Sequence, residues 1–182
     1  MDALRTFLAE TFRALDAGTL SRADAACELS RRLCEELACD RASIVTLDGA
    51  RVVRLGGFDA RLGAPLPEDI ELSDRSPTAH RVANRRMGVY PPLDAESDGW
   101  PEALRELYLA PQGLRALTVA AIGSSPNVTG FVCAANLTER EWSLADMARL
   151  RLVANAIALR RARLDREGEL QAVLWPDRPD PS

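Results

Sequence analysis

The chain opens with Leu4, Phe7, Leu8, Phe12 and Leu15 at three- and four-residue intervals, separated by Arg5, Glu10 and Arg13. That spacing gathers the apolar side chains on one face of a helix over residues 2–16, closed near Gly18. Ser21, three residues before Asp24, predicts the N-cap of a second helix, and Ala26, Leu29, Leu33 and Leu37 carry its apolar face to about residue 38. Glu28 and Arg32, four apart on its polar side, are expected to pair.

At Arg41 the texture changes. Residues 43–47 and 51–55 are β-rich runs around Asp48-Gly49, a dipeptide favoured in tight turns, and predict an antiparallel hairpin. Gly56, Gly57, Gly63, Pro65 and Pro67 make residues 56–75 a long irregular loop on the rim of the sheet, of the kind that often lines a binding site. Ser76-Pro77 predicts a short helix to about Arg86, because serine caps free N–H groups and proline loses nothing at the first helical position. A brief strand at Val89-Tyr90, stopped by Pro91-Pro92, and a short helix over residues 101–109 follow. Residues 114–122 and 128–135 are apolar and β-branched around residues 123–127, and predict a second, more deeply buried hairpin supplying the central strands.

From Ser143, with Asp146 three positions on, a helix is expected to run unbroken past Leu164, its apolar stripe formed by Met147, Leu150, Ala154, Ile157 and Leu164. At about 1.5 Å per residue it outruns a sheet whose strands stand roughly 4.8 Å apart, so part of it needs another partner. The tail, rich in proline and charge from Pro176, is expected to fray.

Composition removes several functions. Hydrophobic residues at 47% and charged residues at 27% of 182 describe one folded domain with helical extensions, not a disordered or membrane chain. No run reaches the roughly 18 apolar residues of a membrane span, and Asp2, Glu10 and Asp16 stand where a secretory leader needs a basic start, so a cytoplasmic location without membrane contact is expected. A net charge of -4 argues against a nucleic-acid surface. All 23 basic residues are arginine, which excludes Schiff-base chemistry and the phosphate-gripping lysine of a P-loop.

The order helix, hairpin, irregular loop, short helices, hairpin, long closing helix resembles the GAF domain, a PAS-related module of bacterial signalling proteins, over about residues 21–167. The resemblance is carried by residues 33–47, running from helix into first strand; by Ser76-Pro77-Thr78-Ala79-His80-Arg81-Val82-Ala83 before Gly88-Val89-Tyr90; and by Gly130-Phe131-Val132-Cys133-Ala134-Ala135 followed by Trp142-Ser143-Leu144-Ala145-Asp146. It implies an α+β fold: an antiparallel sheet of five to six strands, N- and C-terminal helices packed on one face, and short helices and loops enclosing a ligand pocket on the other. It also implies that the terminal helices pair with those of a second subunit. The organisation read here is a dimerisation helix over residues 1–20, a GAF-like domain over 21–170 and a flexible tail over 171–182. With no output domain after Leu170, a signalling partner protein is expected.

The soft ligands are Cys27, Cys34, Cys39, Cys133 and His80, and their spacing fits no common zinc or iron–sulfur site, so neither metal nor cofactor is expected. Buried packing is the ordinary fate of such cysteines. Some stand-alone GAF proteins reduce methionine sulfoxide with cysteines around the pocket loops, but residues 56–113 contain none. Pigment-carrying GAF domains use a cysteine near a histidine, a pair this sequence lacks, and the dispersed cyclic-nucleotide signature includes a lysine. No GxSxG elbow marks a nucleophile, and catalysis is not expected. The candidate pocket rim is Ser76, Thr78, Arg81, Tyr90, Trp100, Tyr108, Arg115 and Thr118. Free N–H groups at the Ser76-Pro77 helix start, with Arg81 or Arg115, favour a small anionic ligand if those arginines face inward. Alternation puts Arg115 on the side of Leu117 and Val119, which is either buried or wet. The leading reading is a homodimeric small-molecule sensor; a ligand-free scaffold and a small redox enzyme are the alternatives.

Overall fold

A computed structural model describes residues 2–48, 51–67, 88–89, 110–124 and 127–174. Among the described residues, helices α1 (Asp2–Asp16), α2 (Arg22–Leu37) and α3 (Leu144–Leu174) accompany strands β1 (Arg41–Asp48), β2 (Arg51–Asp59), β3 (Ala64–Pro65), β4 (Gly88–Val89), β5 (Ala116–Ser124) and β6 (Asn127–Asn136). The strands form one antiparallel sheet in the order β3-β2-β1-β6-β5-β4, with two-residue strands at both edges. Both predicted hairpins are present. The centre is held by β1 and β6, one strand from each, so β5 lies one place outward of the expected middle.

Alternation along the strands divides the sheet into two faces. Ala42, Ile44, Ala116, Ala120, Ile122, Val132 and Ala134 point to the helices and join the main core with Leu29, Leu33, Leu37, Leu150 and Val153. Val45, Leu117, Val119, Phe131 and Ala135 form a second cluster with Leu114. The helices come close to the sheet because the residues beneath them are small. At Gly56 an added Cβ would lie 2.7 Å from the Ala26 Cβ, 2.8 Å from the Cys27 nitrogen and 2.9 Å from the Ala23 oxygen, so α2 and β2 meet almost backbone to backbone.

The helix ends are capped. The Asp24 N–H donates to Ser21 Oγ at 3.1 Å, and Ser143 and Asp146 form a reciprocal capping box, each backbone N–H 3.1 Å from the other side chain. At the far end of α2, Ala38 turns left-handed (φ 47°) and Arg140 donates to the carbonyls of Leu37 at 2.6 Å and Ala38 at 2.9 Å. The same guanidinium reaches Asp146 at 3.2 Å and lies 4.3 Å from the Trp142 ring, fastening the end of α2 to the start of α3.

One end of the sheet is tied by a second polar group. Arg41 Nε donates to Asp59 Oδ2 at 2.6 Å and Nη1 to the Gln112 carbonyl at 3.3 Å. Asp59 Oδ1 accepts from the N–H groups of Arg61 and Leu62, and Asp40 Oδ2 accepts from the Leu137 N–H at 2.8 Å. Burial raises the Asp59 carboxyl, but Arg41 and the Leu62 and Arg61 amides outweigh it and hold it below the usual carboxylate range. Burial likewise opposes, and Ser143 and Arg140 overcome, a rise at Asp146.

The apolar face of α1 packs largely against the chain's own core, where Leu4 is 1% and Leu8 4% exposed. Glu28 pairs with Arg31 rather than Arg32, because Arg32 leans over Phe7 of α1 and meets Glu36 at 2.6 Å. The last helix continues to Leu174.

Gly56→Ala is expected to cost about 2–3 kcal/mol, since the new methyl meets backbone rather than a mobile side chain. Urea denaturation checks this, and a loss below about 0.5 kcal/mol would show that α2 is free to shift. Because the folded Asp59 and Asp146 carboxyls titrate below the unfolded value, their contribution is complete above about pH 4 and fades as pH falls through the folded pKa. Asp59→Asn should therefore lower stability near neutral pH and flatten the acid limb of a stability–pH profile, while an unchanged acid limb would remove Asp59 from the linkage.

Candidate functional site

The sheet face turned away from the helices is the candidate floor of a ligand site, and a β-bulge determines what lies on it. The β1–β2 register shifts between Ile44 and Val45, so that Ile44 stands opposite Gly56 but Val45 opposite Arg54. Arg54 therefore shares the face of Val45, and Leu55 turns to the helix side. Arg54 is 5% exposed, and its Nη1 donates to the Pro67 carbonyl at the end of the described loop. Ser43 faces Cys133 across the β1–β6 pair, with Val119 next in register on β5. The floor thus carries a guanidinium, a hydroxyl and a thiol within an otherwise apolar surface.

The thiol is not poised for nucleophilic chemistry. Burial pushes Cys133 up to about 12, against the smaller opposing influence of the Ser43 hydrogen bond and the Arg54 charge. Cys39, hydrogen-bonded with Cys34 and desolvated, is raised further still, and its Sγ lies 3.4 Å from the Arg41 carbonyl. Cys34 is buried with its Sγ 3.8 Å from the Phe58 carbonyl, so this pair packs between helix and sheet. Among the described residues the second face encloses a space of only about 10 Å³, room for about one water, beside Ser43, Leu66, Gln112 and Cys133.

Of the eight rim residues named from the sequence, Ser76, Thr78, Arg81, Tyr90, Trp100 and Tyr108 lie outside the described residues, as does His80. Thr118 is 1% exposed, stands opposite Ala134 and alternates with Ala116 and Ala120, which places it on the helix side of the sheet and away from the second cluster. Arg115 precedes β5 on the side of Leu117, but it is exposed, and a guanidinium nitrogen lies 3.6 Å from a Glu139 oxygen. Arg54 is a candidate that the sequence reading does not name. In Arg51-Val52-Val53-Arg54-Leu55 a strict alternation leaves the inward set undecided, and only the bulge resolves it.

A family model described as GAF domain matches residues 21–160. No curated protein matches. Among solved structures, the chain is similar to the phycocyanobilin-bound GAF domain of a cyanobacterial phytochrome, with a TM-score of 0.68 at 15% identity over 88% of this chain and 94% of that one. It is similar to the blue-light absorbing form of the PixJ GAF domain from Thermosynechococcus elongatus, with a TM-score of 0.68 at 22% identity over 86% of this chain and 94% of the other. It also resembles a domain of a putative two-component sensor histidine kinase protein from Sinorhizobium meliloti 1021, with a TM-score of 0.56 at 13% identity over 78% and 92% of the two chains. At these identities the structural likeness speaks for the fold, and with the family match over residues 21–160 it establishes that the chain belongs to the GAF domain family.

Proposed function

We propose that this GAF domain is a non-catalytic cytoplasmic sensor that holds a small, non-covalent anionic molecule against the second sheet face and signals as a homodimer to a partner protein. The observation that carries the reading is the buried Arg54 guanidinium within a separate apolar cluster, on the face that the terminal helices leave uncovered. An anion there gains a charge-assisted contact in a poorly solvated place, where such contacts are strongest. Ser43 supplies a hydroxyl one pair of strands away.

By their names, one of the similar structures is phycocyanobilin-bound and another is a blue-light absorbing form, which makes a bilin the obvious comparison ligand. A covalent link is disfavoured here because residues 56–113 contain no cysteine and the Cys133 thiol stays protonated at neutral pH. The same chemistry disfavours a thiol reductase, since all of the cysteines with a resolved shift are raised, not lowered. No helix among the described residues is long and apolar enough to cross a membrane.

For the dimer, we place the seam on α3. Leu150 is 1% exposed and Ile157 packs against the core, so much of the apolar stripe of α3 is spent inside the chain. The other flank of α3 leaves Leu159 71% exposed beside Ala158 and Ala162, and these are the residues we assign to the contact with a second copy.

A thermal-shift screen of metabolites tests the ligand, because a compound at 100 times its Kd adds about 2.7 kcal/mol to stability. Anionic compounds should raise the melting temperature of the wild type, and Arg54→Gln should remove that rise while Arg115→Ala retains it. A response confined to neutral apolar compounds, or one unmoved by Arg54→Gln, would overturn the anion assignment; no response to any compound would favour the ligand-free scaffold. Sedimentation velocity tests the assembly. A dimer at micromolar concentration that Leu159→Glu converts to monomer is expected, and a monomeric wild type would refute it.

A further inference from the structure

We infer that the chain has a second ligand site, on the helix side of the sheet, built for a carboxylate with an aliphatic chain. It occupies a cavity of about 520 Å³ between α1, α2, α3 and the β1–β2 end of the sheet, within the roughly 300–1,000 Å³ usual for small-molecule sites. The cavity lies beside the second half of α1. The first half of α1 is packed home through Leu4 and Leu8, while Phe12 and Leu15 in its second half line the space. Leu29 of α2 and Ile44 of β1 form a floor only 3% and 2% exposed, with Leu55 and Ile157 as walls.

The mouth is different in kind. Arg22, Arg160 and Arg161 stand there with the half-exposed Leu164 between them, against two acids, Asp165 and the Asp16 that pairs with Arg160. Arg160 Nη2 is held by Asp16 at 2.6 Å, which fixes the guanidinium beside Phe12, yet its Nε is buried with no hydrogen-bond partner among the described residues. A buried donor of a cation left open at the rim of an apolar cavity is costly, and an incoming carboxylate oxygen satisfies it. An apolar bore capped by excess positive charge matches a single-chain carboxylate: the chain removes apolar wall from water and the head meets the arginines. Neutral chains lack the second half of that match, and cationic ones oppose it. The site is on the opposite sheet face from Arg54 and involves none of the same side chains.

The probe is dodecanoate below its micelle concentration, measured by isothermal titration calorimetry on the full chain, beside dodecanol and dodecyltrimethylammonium. One-to-one binding of dodecanoate is expected, at least tenfold tighter than either control. Arg22→Gln with Arg161→Gln, both exposed and outside the core, should weaken it about tenfold; Arg160→Gln should do so more strongly; and Leu164→Trp, at the mouth, should block it without lowering the melting temperature. Arg54→Gln should leave dodecanoate binding unchanged, so failure of the site on the other face and failure of this one read out separately. Absence of dodecanoate binding, equal binding of dodecanol, or binding that survives Leu164→Trp would overturn the inference. So would sedimentation of the free chain as a dimer that Leu164→Trp dissociates, which would make the cavity a seat for a second copy. Co-flotation with phosphatidylglycerol vesicles without binding of free dodecanoate would assign the arginines to a lipid surface and overturn it too.

Discussion

The close seating of the helices on the sheet is the constraint from which the rest follows. Ala42, Ala116, Ala120 and Ala134 pave the helix side, and Gly56 removes the last side chain where α2 crosses β2. Interiors packed at close to crystal density respond to a single methyl, so this paving sets where each helix axis can lie. Next to that crossing Phe12, Leu15, Ala26, Leu29, Ile44, Leu55 and Ile157 border open space, so the tight contact and the cavity lie side by side. Arg140 holds the arrangement at the far end of α2, where one guanidinium serves its last carbonyls and the capping acid of α3.

Much of this was legible in the chain because it depends on local rules. Ser21 with Asp24 and Ser143 with Asp146 are caps in the structure as in the sequence, and the two apolar hairpins stand where period-two runs placed them. What escaped depends on contacts between distant segments. Nothing in α1 itself says that Leu4 and Leu8 bury against their own chain, since an amphipathic helix carries the same stripe whichever partner covers it. Likewise, Arg140 reads as an ordinary surface arginine until the end of α2, about a hundred residues earlier, is brought beside it.

The site was the least legible part, for a related reason. Naming inward residues on a strand requires a known register, and one extra residue reverses every assignment beyond it. Thr118 shares the helix side with Ala116 and Ala120, a face that alternation along the strand does not identify. Arg54 reads as half of a polar–apolar alternation, and the shift between Ile44 and Val45 turns it inward. Arg115 lies on the anticipated side, yet it stands at the end of the strand where solvent and Glu139 reach it. Charge in a sequence does not distinguish these two arginines; their positions relative to the bulge and the strand end do.

The two faces are not mechanically independent. Ala120 and Val132 lie in the main core, while their chain neighbours Val119 and Cys133 lie on the second face, and each pair is separated by one peptide. A ligand that displaces the second cluster must therefore move β5 and β6 against the helices, because a packed layer repacks rather than compresses. The helix that receives such a shift is α3, whose Leu150, Val153 and Ala154 sit on this sheet while residues 159–168 extend beyond the buried core. If the proposed ligands bind, both faces bear on α3, the second face through the strands and the helix-side cavity through Ile157, Arg160 and Leu164, which line it.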